Sequence, residues 1–254
     1  MTGASSGIGE ALTYALASHG ASVVMSARRE EVLREVHTHC QHSERHLVLP
    51  LDVAEPTMFA RAVETVRSRY SRIDILVHGA GISQRATAAH TKLEVDQRIM
   101  AINYFGPVAL TKHVLPSMIQ HQAGHIVVIS SLLGKFSAPT RSAYCASKHA
   151  LHGFFDALRA EVFADGVAVT IVCPSFVNTN ASRNALTGDG SPHAQLDSRT
   201  ANGMAAVDCA DQIVRAVERR RREVYIGGKE TLAVYFSRWA PGLFSRVIRK
   251  VKLQ

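Results

Sequence analysis

What this 254-residue chain lacks narrows its class before any motif is read. It contains no run of about 18 apolar residues, so no segment suits a membrane-spanning helix. Its four cysteines, Cys40, Cys145, Cys173 and Cys209, show neither disulfide nor metal-ligand spacing, which predicts reduced thiols in a cytoplasmic setting. Of the thirteen histidines, only His37, His39 and His42 approach a metal pattern. They lack a cysteine or carboxylate frame, so a solvated helix end is expected there and no metal. No secretory signal accompanies Asn180-Ala181-Ser182, which removes the reason to read it as a glycosylation acceptor. No repeat or low-complexity linker divides the chain, and 46% hydrophobic content can bury a large core, so one domain over residues 1–254 is expected. Acidic residues are outnumbered, 21 against 29 Lys and Arg, giving a net charge of +8. No aromatic-interleaved basic groove accompanies that excess, which argues against nucleic acid as a partner. Part of it is Arg219 to Arg222, a run closing a helix, where cations complement the dipole.

Near-continuous apolar runs at 22–27, 46–51, 73–78, 124–130, 167–173 and 223–226 alternate with helical patterns. That alternation predicts parallel strands covered by helices on both faces. The longest helical patterns lie near 94–121 and 142–164. Between Phe176 and Met204 runs a segment rich in Asn, Ser and Gly, of the length that functional lids have.

Chemistry enters at three side chains. Tyr144 and Lys148 lie one helical turn apart on one face of the pattern that continues through Leu151, Phe154, Phe155 and Leu158. Ser131 ends the apolar run 125–130, at the carboxyl end of a predicted parallel strand, where such sheets place ligands. A free phenol titrates near ~10, and a neighbouring ammonium would bring proton transfer by Tyr144 closer to neutrality. A hydroxyl at Ser131 would orient a substrate oxygen beside it. At the other end, Thr2-Gly3-Ala4-Ser5-Ser6-Gly7-Ile8-Gly9 is a glycine-rich turn entering a helix, the arrangement that lets backbone N–H groups cradle a pyrophosphate.

With these motifs the chain resembles the short-chain dehydrogenase/reductase superfamily over essentially its whole length. The resemblance implies a Rossmann-like doubly wound parallel sheet in three layers. It also implies that Thr2, Gly3, Gly7 and Gly9, with Ser5, Ser6 and Ile8 between them, form the cofactor loop. Asp52 and Val53 match the positions that meet adenine, and Ala80 and Gly81 match the end of the Asn-Asn-Ala-Gly segment. Pro174, Val177 and Thr179 match the segment that meets the nicotinamide. Asn103 matches the asparagine that kinks the long helix and holds a relay water, completing a tetrad with Ser131, Tyr144 and Lys148. Tyr144 and Lys148 are also expected to touch the cofactor. The long helices form a dimer or tetramer interface in that superfamily.

The chain departs from the pattern in several places. His78-Gly79 replaces two asparagines, and His78 is expected to be structural. Ser175 stands where glycine is usual. The central first strand of such folds precedes the glycine loop, yet the numbering begins at Met1, at that strand's last apolar position. The first central strand is therefore expected to be missing from the numbered chain and supplied by upstream residues. Where NAD-binding members carry a carboxylate, this chain has Ala27 followed by Arg28 and Arg29. A guanidinium there suits a 2′-phosphate, which favours NADP(H). Against this, two arginines can simply open a charged helix.

The C-terminal segment 230–254 mixes large apolar and basic residues as interfacial helices do. It fits peripheral contact with an acidic membrane, or packing over the substrate mouth or a partner subunit, and the sequence leaves these open. Further likeness to the member-7 and 7B group of dehydrogenase/reductases, in Asn103 to Lys112, Arg141 to Ala150 and Ala240 to Phe244, implies a lipid-like carbonyl substrate. The expected activity is NADP(H)-dependent interconversion of a carbonyl and a secondary alcohol. The alternative is a catalytically silent cofactor-binding or membrane-associated scaffold.

Overall fold

The computed structural model describes residues 1–251, so the last three residues of the predicted basic segment lie outside the described residues. In chain order the elements are α1 (Gly7–Ser18), β1 (Val24–Met25), α2 (Glu30–Thr38), β2 (Leu47–Val48), α3 (Phe59–Tyr70) and β3 (Ile75–His78). There follow α4 (Leu93–Met100), α5 (Gly106–Gln120), β4 (Gly124–Ile129), α6 (Ser142–Glu161), β5 (Val167–Pro174) and α7 (Ser198–Ala201). The chain ends with α8 (Ala206–Glu218), β6 (Glu223–Ile226), α9 (Leu232–Trp239) and α10 (Pro241–Ile248).

All strand pairs are parallel, in a four-stranded sheet β3-β4-β5-β6 and a two-stranded sheet β1-β2. Thr2 joins the two, bridging Ser26 on one side and His78 on the other. Its N–H donates to Val77 at 2.9 Å, and Ser26 N–H donates to Met1 O at 2.9 Å. Met1 and Thr2 thus stand between β1 and β3 where a first central strand is expected, as isolated bridges and not as a regular strand, in keeping with the expectation that this strand is missing. β1 and β2 are shorter than the predicted runs 22–27 and 46–51. Their hydrogen bonds nevertheless continue, from Leu47 N to Val23 O and from Leu51 N to Ala27 O. The apolar pattern reads this ladder, while regular strand geometry is confined to its middle.

Alternation along the buried strands feeds a core on each face of the sheet. Ile126 and Val128 of β4 point to the layer of α3, α5 and α6, packing with Phe59, Val114, Leu151 and Phe155. Val127 and Ile129 point the other way, to Leu12 of α1 and Ile213 of α8. A third cluster seats Leu33 and Val36 of α2 against Met25. His78 is buried, with Nε2 2.8 Å from Thr111 Oγ1, and burial lowers its pKa to about 3. That is the structural role its strand-end position predicts.

The predicted helix at 94–121 is one continuous path with a wider turn inserted at Ala101–Phe105, between α4 and α5. Such π-turns occur often at functional sites, and Asn103 lies within this one.

Candidate active site

The carboxyl ends of β1, β3, β4 and β5 open onto one cavity of about 840 Å³. Ser131, Tyr144 and Lys148 all line it. Ser131 lies two residues beyond the last pair of β4 and accepts from Leu133 N–H at 3.1 Å, which fixes its hydroxyl at the head of a short turn. Tyr144 and Lys148 stand on the first turns of α6, with the Lys148 ammonium 5.7 Å from the centre of the tyrosine ring. The predicted convergence is present.

The electrostatics differ from the expectation that Lys148 acidifies the phenol. Burial holds the Tyr144 pKa above its ordinary value, against a lowering by the Ser131 hydroxyl hydrogen bond and by the Arg85 and Arg141 guanidiniums. Lys148 is only 5% exposed and its Nζ donates to Ile129 O at 2.8 Å. Desolvation lowers its pKa to about 8. Tyr144 is therefore a protonated phenol at neutral pH in this structure, the form a proton donor needs.

Asn103 is 1% exposed and stands behind the cavity wall. Its Oδ1 accepts from Ile82 N–H at 2.8 Å, while Nδ2 donates to Ile82 O at 2.9 Å and Ser147 Oγ at 3.0 Å. Both amide hydrogens are committed, so the side chain positions the Gly81-Ile82 wall against α6. Thr2 is likewise behind the wall, accepting from Gly79 and Ala80 N–H at 3.2 and 3.3 Å. The remaining residues expected to meet a cofactor, Gly3, Ser5, Ser6, Gly7, Ile8, Gly9, Arg28, Arg29, Asp52, Val53, Ala80, Gly81, Pro174, Val177 and Thr179, all line the cavity.

These residues fit a dinucleotide. A Cβ on Gly9 would lie 2.0 Å from Gly3 O, and Gly7, at φ +58°, would press one against Thr179 Cγ2 at 2.9 Å. The loop is folded tightly at the start of α1, where unpaired N–H groups and the dipole favour phosphate. Arg28 and Arg29 are exposed at the same end, and neither makes an ion pair among the described residues.

The opposite end is apolar, walled by Leu133, Phe136, Phe176, Phe236 and Phe244. α9 and α10 fold back over it, with Phe244 stacked edge-on against Phe136 and Phe236 at 5.3 and 5.5 Å. Of the readings open for the C-terminal segment, packing over the cavity mouth describes these inner faces. The segment 176–204 is pinned by a feature the sequence did not signal. Asp197 Oδ2 accepts from Arg85 Nη2 at 2.5 Å and Arg141 Nη2 at 3.4 Å, with all three side chains at most 7% exposed. The partners lie 112 and 56 residues from Asp197, beyond the reach of any local pattern.

A second buried cluster was also unannounced. His152, Cys173 and Glu223 bring potential ligand atoms within 4.8 Å of one another. Glu223 is already engaged by Lys135 Nζ at 3.0 Å and by the Tyr225 hydroxyl, and His152 Nε2 lies 3.1 Å from Ser130 Oγ. His152 Nδ1, buried and 3.3 Å from Glu223 Oε2, has no hydrogen-bond partner of its own.

A family model described as short chain dehydrogenase matches residues 1–189. The chain is 42% identical over 254 residues to the mouse dehydrogenase/reductase SDR family member 7B, covering 98% of this chain and 79% of that one. A short-chain dehydrogenase/reductase from Burkholderia phymatum, solved in complex with NAD, superposes with a TM-score of 0.84 at 21% identity, covering 96% and 93% of the two chains. At that identity the likeness speaks to the fold. A short chain dehydrogenase from Burkholderia cenocepacia J2315, solved in complex with NADP, gives a TM-score of 0.79 at 25% identity, covering 97% and 95%.

Proposed function

Because the chain belongs to the short-chain dehydrogenase family, an oxidoreductase family that binds nicotinamide cofactors, we propose that it is an NADP(H)-dependent enzyme interconverting a carbonyl and a secondary alcohol on an apolar, lipid-like substrate. The observation that carries this reading is a single cavity with three zones. The glycine loop and Arg28 lie at one end, Ser131, Tyr144 and Lys148 in the middle, and an apolar wall closed by Phe236 and Phe244 at the other.

A bound reduced nicotinamide supplies the hydride. The chain's own residues manage the proton and the geometry. Tyr144, held neutral by burial, gives its phenolic proton to the carbonyl oxygen. Ser131 fixes that oxygen by hydrogen bond. Lys148, with its ammonium tethered to Ile129 O, supplies positive charge beside the phenolate that forms, and Asn103 keeps the opposing wall in place. Arg28, with no carboxylate at Ala27 to oppose it, selects the 2′-phosphate. The apolar far wall excludes water and suits a hydrocarbon-bearing carbonyl.

The proposed protein is one dinucleotide-binding domain. Its partners are a small-molecule carbonyl or alcohol, a second copy of the chain and a membrane surface, in a cytoplasmic setting. Self-association is supported by two exposed aromatic side chains, Phe105 at 57% before α5 and Phe163 at 83% beyond α6. Among the described residues no helix is long and apolar enough to cross a membrane.

The test is NADPH oxidation on a panel of ketones, aldehydes, steroids and acyl-ketone phosphates, with NADH run alongside. Turnover on apolar carbonyls with NADPH preferred is expected. NADPH protecting the fold from thermal unfolding without oxidation on any panel member would instead identify a silent cofactor-binding homologue.

A further inference from the structure

Beneath α6, at the β5-β6 edge of the sheet, three side chains of metal-ligating type converge from three elements. His152 comes from α6, Cys173 from β5 and Glu223 from β6, and a potential ligand atom of each lies within 4.8 Å of the other two. The His152 ring is 9% exposed, Cys173 is fully buried and the Glu223 side chain is 25% exposed. His152 Nδ1 stands 3.3 Å from Glu223 Oε2, and Cys173 Sγ stands 3.7 Å from the other ring nitrogen. Nitrogen, oxygen and sulfur ligands of one tetrahedral zinc, at ~2.0–2.3 Å from it, lie roughly 3.3–3.6 Å apart. The cluster is close to that spacing already.

Its surroundings are those of a supported ligand set. Nδ1 is buried without a hydrogen-bond partner, so the free nitrogen of the ring faces the carboxylate. Nε2 lies 3.1 Å from Ser130 Oγ, the kind of outer contact that fixes the tautomer and orientation of a ligating histidine. Glu223 Oε1 accepts from the Tyr225 hydroxyl, while Oε2 accepts from Lys135 Nζ at 3.0 Å. The Lys135 side chain is 23% exposed, and its ammonium can turn outward to water.

From this geometry we infer that His152 Nδ1, Cys173 Sγ and Glu223 Oε2 form a binding site for one Zn²⁺, with water as the fourth ligand. A thiolate beside an imidazole selects a borderline-soft cation over Mg²⁺ or Ca²⁺. Binding releases the Cys173 thiol proton to solvent and frees Lys135 from Oε2, so that a thiolate and a carboxylate balance the dication. None of the three ligands lines the cavity. The metal therefore ties α6, β5 and β6 together behind Ser130, the neighbour of Ser131, and does not touch a carbonyl substrate. This site goes beyond the oxidoreductase reading and stands whether or not that reading holds.

The full chain, treated with a chelator and then freed of it, is titrated with Zn²⁺ and separately with Co²⁺, with no cofactor added. Calorimetry is expected to give one tight Zn²⁺ per chain, and Co²⁺ a thiolate charge-transfer band. Zn²⁺ at about 100-fold its Kd should raise the melting temperature by about 5–10 °C. Cys173→Ser should remove the band. Both it and His152→Gln should weaken Zn²⁺ binding by more than about tenfold, since even an outer contact is worth that much. Cys209→Ser, on the other face of the sheet, should leave the band and the affinity unchanged. Lys135→Met should tighten binding by about fivefold, the worth of a partly exposed ion pair, and this gain is readable even where a ligand variant fails to fold. No Zn²⁺ binding, a band that persists in Cys173→Ser, or an affinity unchanged by Lys135→Met overturns the inference. Weak binding of several Zn²⁺ that His152→Gln does not alter assigns the metal to surface histidines and overturns it as well.

Discussion

Replacing Asp197 by Asn keeps the side-chain volume and removes the one carboxylate set between two buried guanidiniums. Arg85 meets Oδ2 through Nε at 2.9 Å and Nη2 at 2.5 Å, and Arg141 reaches the same oxygen at 3.4 Å. The three side chains are 7, 4 and 3% exposed, so solvent screens them little. Arg141 already feels this crowding. Burial, followed by the charge of Arg85, lowers its pKa to about 10, with Asp197 the first opposing influence. Breaking a buried pair by removing one partner costs about 3–5 kcal/mol, a large part of the ~5–15 kcal/mol that holds a domain. Arg85→Met leaves Arg141 facing Asp197 in charge balance and should cost less, about 1–3 kcal/mol. The double variant should recover part of the Asp197→Asn loss, because the two sites share one interaction. At ~2–4 °C per kcal/mol for a chain of this size, Asp197→Asn lowers the melting temperature by about 6–20 °C. Thermal and urea unfolding of the three variants checks the order. A smaller loss for Asp197→Asn than for Arg85→Met would refute the reasoning.

Lys148→Met should raise the stability of the cofactor-free protein while destroying activity. The folded pKa of Lys148 is about 8, below the ordinary 10.5, so its folded state binds fewer protons and the native lysine destabilises the fold below pH 8. That penalty fades as pH rises from 8 towards 10.5, and the gain from Met, about 1–3 kcal/mol at neutral pH after losing the bond to Ile129 O, fades with it. The same titration predicts that carbonyl reduction falls as pH rises through about 8, and pH–rate profiles read it. Arg28→Ala should lower kcat/KM for NADPH about tenfold, the worth of a charge-assisted hydrogen bond at an exposed site, and leave NADH within about twofold. Equal losses with both cofactors would remove Arg28 from 2′-phosphate recognition.

What the sequence disclosed and withheld follows sequence distance. Tyr144 and Lys148 share a turn, so periodicity alone placed them together, and the glycine loop announced its backbone conformation through residue type. The apolar runs located the strand ladders. They overstated regular geometry at β1, where pairing on one side depends on Met1 and Thr2 alone, and at β2, which among the described residues pairs only with β1. Asp197 looked like any loop acid, because its partners Arg85 and Arg141 come from other elements. The Tyr144 phenol was misjudged for a related reason. The sequence shows the lysine beside it, while burial, which here outweighs the neighbouring charges, exists only after folding. The two faces of α9 and α10 were likewise hidden, since the apolar pattern does not say which side meets the cavity.

The most direct test of the account is Tyr144→Phe, read by NADPH oxidation on an accepted carbonyl together with NADPH affinity. Proton donation by this phenol predicts turnover lowered by at least ~10²-fold with cofactor affinity within a few-fold of the parent. Turnover near the parent level in the folded, NADPH-binding variant would contradict it.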